Sequence, residues 1–170
     1  MTRTKLLLLG LIAFTAACSN STTQPSAASP NTFTFSATLL PANEVPPVTN
    51  AESVGRGTAA ITLVVTKDGN TITAATVTFN VSLTAFPAGT NLTAAHIHEG
   101  GATCACPVRV QTSLSSGEVV LTTGAGGFTK TFAAPADTAQ SMINSPDSFY
   151  FNVHTTLNPG GVARGQLVKN

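Results

Sequence analysis

Three histidines, His96, His98 and His154, are the residues of this 170-residue chain best suited to ligand or proton chemistry. In an extended strand, positions i and i+2 share a face and lie roughly 6.5–7 Å apart. His96 and His98 in Ala94-Ala95-His96-Ile97-His98-Glu99-Gly100 therefore point together, and Ile97 points to the opposite side. In Phe149-Tyr150-Phe151-Asn152-Val153-His154-Thr155, the residues Tyr150, Asn152 and His154 share one face, and Phe149, Phe151 and Val153 share the other. If the two strands are neighbours or face each other, three imidazoles converge. Three neutral imidazoles suit zinc or copper, with a position left open for water. The plainer reading stands beside it: the His-x-His pair orders the Glu99-Gly100 turn, and His154 bonds a backbone carbonyl.

The charged and sulfur-bearing residues are few. Glu44 and Arg164 each sit in a segment with few other charges, and a bidentate pair between them would pin the first and last strands together. Arg164 binding an anionic ligand is the other reading. Cys104 and Cys106 are an even pair suited to a short disulfide in an oxidising compartment. Intermolecular bonding, or thiolate ligation beside His96 and His98, stays open. The acids Glu44, Glu52, Asp68, Glu99, Glu118, Asp137 and Asp147 are dispersed, and neither G-x-S-x-G nor H-E-x-x-H occurs. No catalytic residue is assigned, and an enzyme is the weaker expectation.

The elements that must position these residues read as strands. Phe33, Phe35, Ala37 and Leu39 alternate with Thr34, Ser36 and Thr38, and Ala59, Ile61, Leu63 and Val65 repeat the pattern. Lys67-Asp68-Gly69-Asn70 supplies hairpin turn residues before a return strand carrying Val77, Phe79, Val81 and Leu83. Further strands are expected near 92–98, 107–114, 117–122, 126–132, 148–155 and 162–168, with one short helix over 135–143 capped by Asp137. The expected fold is a single all-β domain over 32–170, an antiparallel sandwich or barrel with that one helix.

Charged residues make up 9% of the chain and hydrophobic residues 42%, with a net charge of +1. Soluble domains average about 25% charged residues. With no basic stripe, this composition excludes a basic nucleic-acid binder, and it also excludes a multispanning membrane protein and a helix-rich cytosolic enzyme. Residues 1–17 read as a signal peptide: Arg3 and Lys5 precede an apolar run ending at Phe14, and Ala16-Ala17 lead to Cys18. Thr15-Ala16-Ala17-Cys18 resembles a bacterial lipoprotein signal, with Thr15 where Leu is usual. Lipid on Cys18 would anchor the chain at about 0.8 kcal/mol per buried CH₂. Ordinary cleavage and secretion is the alternative. Residues 18–31 are small, polar or Pro and read as a flexible spacer.

Four motifs stand in order along the body: Leu39-Leu40-Pro41-Ala42-Asn43-Glu44-Val45-Pro46-Pro47, Ala95-His96-Ile97-His98, Tyr150-Phe151-Asn152-Val153-His154-Thr155 and Gly161-Val162-Ala163-Arg164-Gly165-Gln166-Leu167. Together they resemble the CHRD domain, a module named after chordin and common in bacterial secreted proteins. The resemblance implies an extracytoplasmic β domain without a well-established reaction. Gly101-Ala102-Thr103-Cys104-Ala105-Cys106 departs from the Gly-rich turn that relatives tend to have there. The function expected is an envelope-tethered binding or structural module, with His96, His98 and His154 as metal ligands and an envelope or extracellular partner. The alternative is a mononuclear copper redox protein. Its His-x-His looks like part of the copper site of copper-zinc superoxide dismutases, although a dinuclear site needs more than three histidines.

Overall fold

The computed structural model describes residues 30–170; the signal segment, Cys18 and the spacer up to residue 29 lie outside the described residues. The strands are β1 (Pro30–Leu39), β2 (Arg56–Asp68), β3 (Thr71–Thr84), β4 (Thr90–Glu99), β5 (Val108–Gln111), β6 (Val120–Leu121), β7 (Gly126–Ala133), β8 (Phe149–Thr155), β9 (Ala163–Gln166) and β10 (Val168–Lys169). One helix, α1 (Ala136–Asn144), joins β7 to β8. Two antiparallel sheets result, ordered β10-β1-β2-β3-β7 and β5-β4-β8-β9, with β6 pairing the start of β4. Neither sheet closes on itself, so the fold is a sandwich and not a barrel.

The period-two alternation of β1, β2 and β3 delivers one apolar face, with Phe35, Leu39, Ile61, Leu63, Val77 and Phe79 buried. Against it lie Leu92, Ile97, Phe149, Phe151 and Val153 of the second sheet. Phe79 and Phe151 stack across the gap with ring centroids 5.4 Å apart. Each such side chain contributes about 1.5–3 kcal/mol on burial, which makes this interface the main source of stability.

Three local departures from the sequence reading have physical causes, and a bulge sets which way the histidines face. Pro30 and Asn31, read as spacer, pair with Thr66 and Val65 and extend β1. Asp137 is not the cap of α1: the cap position is Pro135, and Asp137 Oδ1 instead accepts from the neighbouring Thr138 N–H at 2.7 Å. The strand expected over 162–168 divides because Leu167 turns into the core. Gln166 then pairs in the second sheet and Val168 in the first. Finally, a bulge between Leu92 and Ala94 inserts one residue into β4 against β8. Counting twos from Leu92 would bury His96 and His98. The extra residue instead sends Ala95 and Ile97 inward and both histidines to the outer face.

Candidate metal centre on the outer face of the second sheet

Antiparallel register brings the two histidine segments together. In the β4–β8 ladder, His96 lies opposite Asn152, Ala94 opposite His154 and His98 opposite Tyr150. Cross-strand partners share a face, so His96, His98, Tyr150, Asn152 and His154 form one polar surface backed by the core. The His96 ring centroid is 5.5 Å from that of His98 and 4.8 Å from that of His154. One ring nitrogen from each imidazole falls within 4.8 Å of the others.

The hydrogen bonds behind the rings decide which nitrogens are available. His98 Nδ1 is 2.6 Å from the Cys106 carbonyl, and His154 Nδ1 is 2.9 Å from the Pro159 carbonyl. A carbonyl only accepts, so both Nδ1 atoms carry the hydrogen and both Nε2 atoms present lone pairs. His96 Nδ1 lies 3.1 Å from His154 Nε2 and donates to it. Burial, aided by the neighbouring His154 and His98, lowers the His96 pKa to about 4. The pKa of His98 is lowered by burial, against the opposing bond to Cys106. Burial likewise lowers that of His154, against its bond to Pro159. All three rings are thus biased toward the neutral form that ligates metals.

This donor set fits a transition metal. Imidazole nitrogens bind zinc at about 2.0–2.1 Å, so two ligands at a tetrahedral angle sit about 3.3 Å apart. The His96 Nδ1–His154 Nε2 separation of 3.1 Å is close to that value; ligation through Nδ1 requires His96 to move its hydrogen to Nε2, the tautomer that frees the Nδ1 lone pair. Metal-ligating histidines almost always donate their other N–H to a carbonyl, carboxylate or water. His98 and His154 both do so here.

The surrounding residues build the walls. Tyr150 lies on β8 between β4 and β9; its ring stacks on His98 with centroids 4.7 Å apart, and the Arg164 guanidinium sits 4.4 Å from its centre. Its hydroxyl accepts from Cys106 N–H at 3.1 Å. Cys104 and Cys106 are joined in a disulfide with Cα atoms 5.3 Å apart. Neither sulfur is in the imidazole group.

The direct Glu44–Arg164 ion pair is not formed. Arg164 Nε donates to the Asn43 carbonyl at 2.6 Å, Nη1 to the Cys104 carbonyl at 2.8 Å and Nη2 to the Ala102 carbonyl. The fork is spent on main-chain oxygens that tie β9 to the segment after β1 and to the disulfide loop. A Leu40–Arg164 backbone bridge reinforces the same corner. A cleft of about 660 Å³ beside Arg164 includes Thr38, Glu44, Val45, Thr103 and Gln166 in its lining and does not reach the imidazoles. Glu44 accepts from Asn152 Nδ2 at 3.4 Å. Burial raises its pKa to about 7, against the lowering effects of Arg164 and Asn152.

Sequence reasoning passed over Glu52. Its buried carboxylate takes the Thr155 hydroxyl at 2.6 Å and an Asn158 amide hydrogen, holding the turn that presents the Pro159 carbonyl to His154. The signal was faint: one acid, more than a hundred residues from its partners.

Fold and site together define an all-β sandwich carrying a three-imidazole cluster on the outer face of one sheet. The chain belongs to the CHRD domain family, whose profile matches residues 35–167 and spans both histidine segments and Arg164. No curated protein and no solved structure matches the chain.

Proposed function

We propose that the chain is a metal-binding CHRD module held at the cell envelope, with His96, His98 and His154 as ligands to a zinc or copper ion. The observation that carries this reading is that His98 and His154 each tie Nδ1 to a carbonyl and so keep a lone pair on Nε2, with one ring nitrogen from each of the three imidazoles within 4.8 Å of the others. The bound ion would supply a strong cross-link between β4 and β8, making the domain a firm platform for an envelope or extracellular partner. The apolar leader and Cys18 support a lipid anchor on the membrane, and the spacer supports display of the domain away from it. Titration of the purified protein with Zn²⁺ and Cu²⁺ against a chromophoric chelator tests the metal reading. Saturable uptake that disappears in the His96→Ala/His98→Ala/His154→Ala variant is expected, and equal uptake by the two proteins would overturn it.

A further inference from the structure

Two buried acceptors stand side by side at the imidazole cluster with no donor for either. Asn152 occupies the middle of the polar face, opposite His96 on one side and Arg164 on the other, and flanked along β8 by Tyr150 and His154. Its Nδ2 donates to Glu44 Oε1, which turns Oδ1 away from the carboxylate. Asn152 is 3% exposed, and Oδ1 has no hydrogen-bond partner among the described residues. His98 is 8% exposed, and its Nε2 is in the same condition. Asn152 lies beside the His98 ring.

A buried acceptor left without a donor is destabilising, because its desolvation is not offset. While His98 is neutral neither relieves the other, because Oδ1 carries no hydrogen and the single His98 hydrogen is committed to Cys106. A second proton on the ring would let it donate to Asn152, and burial opposes that proton. A metal ion between them relieves both. The carboxamide is also held in place from behind. Gly161 adopts φ +134°, and a Cβ there would meet Asn152 Nδ2 at 2.6 Å and Glu44 Oε2 at 2.7 Å. Glycine therefore lets the loop close over the Glu44–Asn152 pair.

We propose that Asn152 Oδ1 is a fourth ligand to the divalent ion held by His96, His98 and His154. The inference rests on the three-imidazole reading above. It replaces an open site with a donor set of three nitrogens and one oxygen. Four protein donors are the number that closes a tetrahedral zinc site, and closed sites hold metal for structure, whereas catalytic ones keep a position for water.

The test uses the purified chain, Asn152→Ala and Asn152→Asp, each checked for folding by thermal unfolding. Chelator competition should give a zinc Kd at least about tenfold weaker for Asn152→Ala, and a smaller loss for Asn152→Asp, which keeps an oxygen for the metal and gives up the donor to Glu44. With Co²⁺ substituted for zinc, since Cu²⁺ prefers tetragonal geometry, water-proton relaxation should show no coordinated water in the parent protein and a gain in Asn152→Ala. If the parent binds zinc through its histidines while Asn152→Ala matches it in Kd and relaxation, Asn152 is no ligand and the three-imidazole site stands. If Asn152→Ala does not fold, coordinated water in the parent alone overturns the inference. A parent protein that takes up no zinc overturns both readings.

Discussion

Arg164→Lys separates two accounts of how the final strands are held. Arg164 is 3% exposed and donates to the carbonyls of Asn43, Cys104 and Ala102, with its plane against Tyr150. Hydrogen bonds from a charged donor contribute about 1.5–3 kcal/mol each. Asn43 and Ala102 lie in exposed segments where water replaces part of the loss, so the lower figure applies. A lysine ammonium is a point donor and reaches one carbonyl in place of three. Losing two bonds costs about 3 kcal/mol in total. For a domain of this size that corresponds to a fall in Tm of roughly 6–12 °C. Calorimetry of both proteins in the presence of a chelator measures it without metal contributions. Were a charge pair with Glu44 the stabilising feature, lysine would preserve it. A Tm within about 2 °C of the parent would therefore refute the fork geometry.

Two further outcomes follow from the site. The unfolded chain takes up imidazole protons below its ordinary pKa of about 6.5, whereas the folded His96 resists down to about 4. The contribution of the histidines is therefore present in full above that ordinary value and lost as the pH falls toward 4. Glu44 acts with the opposite sign: its contribution is full below 4.5 and lost as pH rises through about 7. Because the two oppose each other between pH 4.5 and 6.5, urea midpoints of metal-free Glu44→Gln, which lacks the carboxylate, should fall from pH 6.5 to 4, and Glu44→Gln should help stability more at pH 8 than at pH 5; a flat profile in Glu44→Gln would contradict the histidine assignment, and an equal effect of the substitution at the two pH values would contradict that of Glu44. The disulfide should also matter to the metal, because Cys106 donates to the Tyr150 hydroxyl and accepts from His98. Cys104→Ser/Cys106→Ser, or reduction with a phosphine, should weaken zinc binding about tenfold. Tighter binding on reduction would instead make the thiolates ligands.

Much of this was legible in the residues themselves. The alternation of β1 to β3, the turn at Gly69 and the shared face of Tyr150, Asn152 and His154 all follow from the side-chain period of a strand, and they hold in the fold. That β4 and β8 are neighbours was not readable, since pairing between segments more than fifty residues apart leaves no local trace. Nor was the β4 bulge, which depends on the register with β8 and alone decides that His96 and His98 face outward. Arg164 stands out in the sequence as a charge with few others near it, which points to a structural role. Its partners are main-chain carbonyls, which every residue possesses and no sequence pattern announces. The same holds for the Cys106 and Pro159 oxygens that fix the imidazole tautomers.

X-ray absorption at the zinc edge, on protein loaded with one equivalent and passed through a desalting column, tests the metal assignment most directly. The account predicts retained zinc with three imidazole nitrogens at about 2.0 Å, and loss of zinc from the variant lacking all three histidines. Zinc that washes off, or zinc retained with fewer than two imidazoles in its shell, would contradict it.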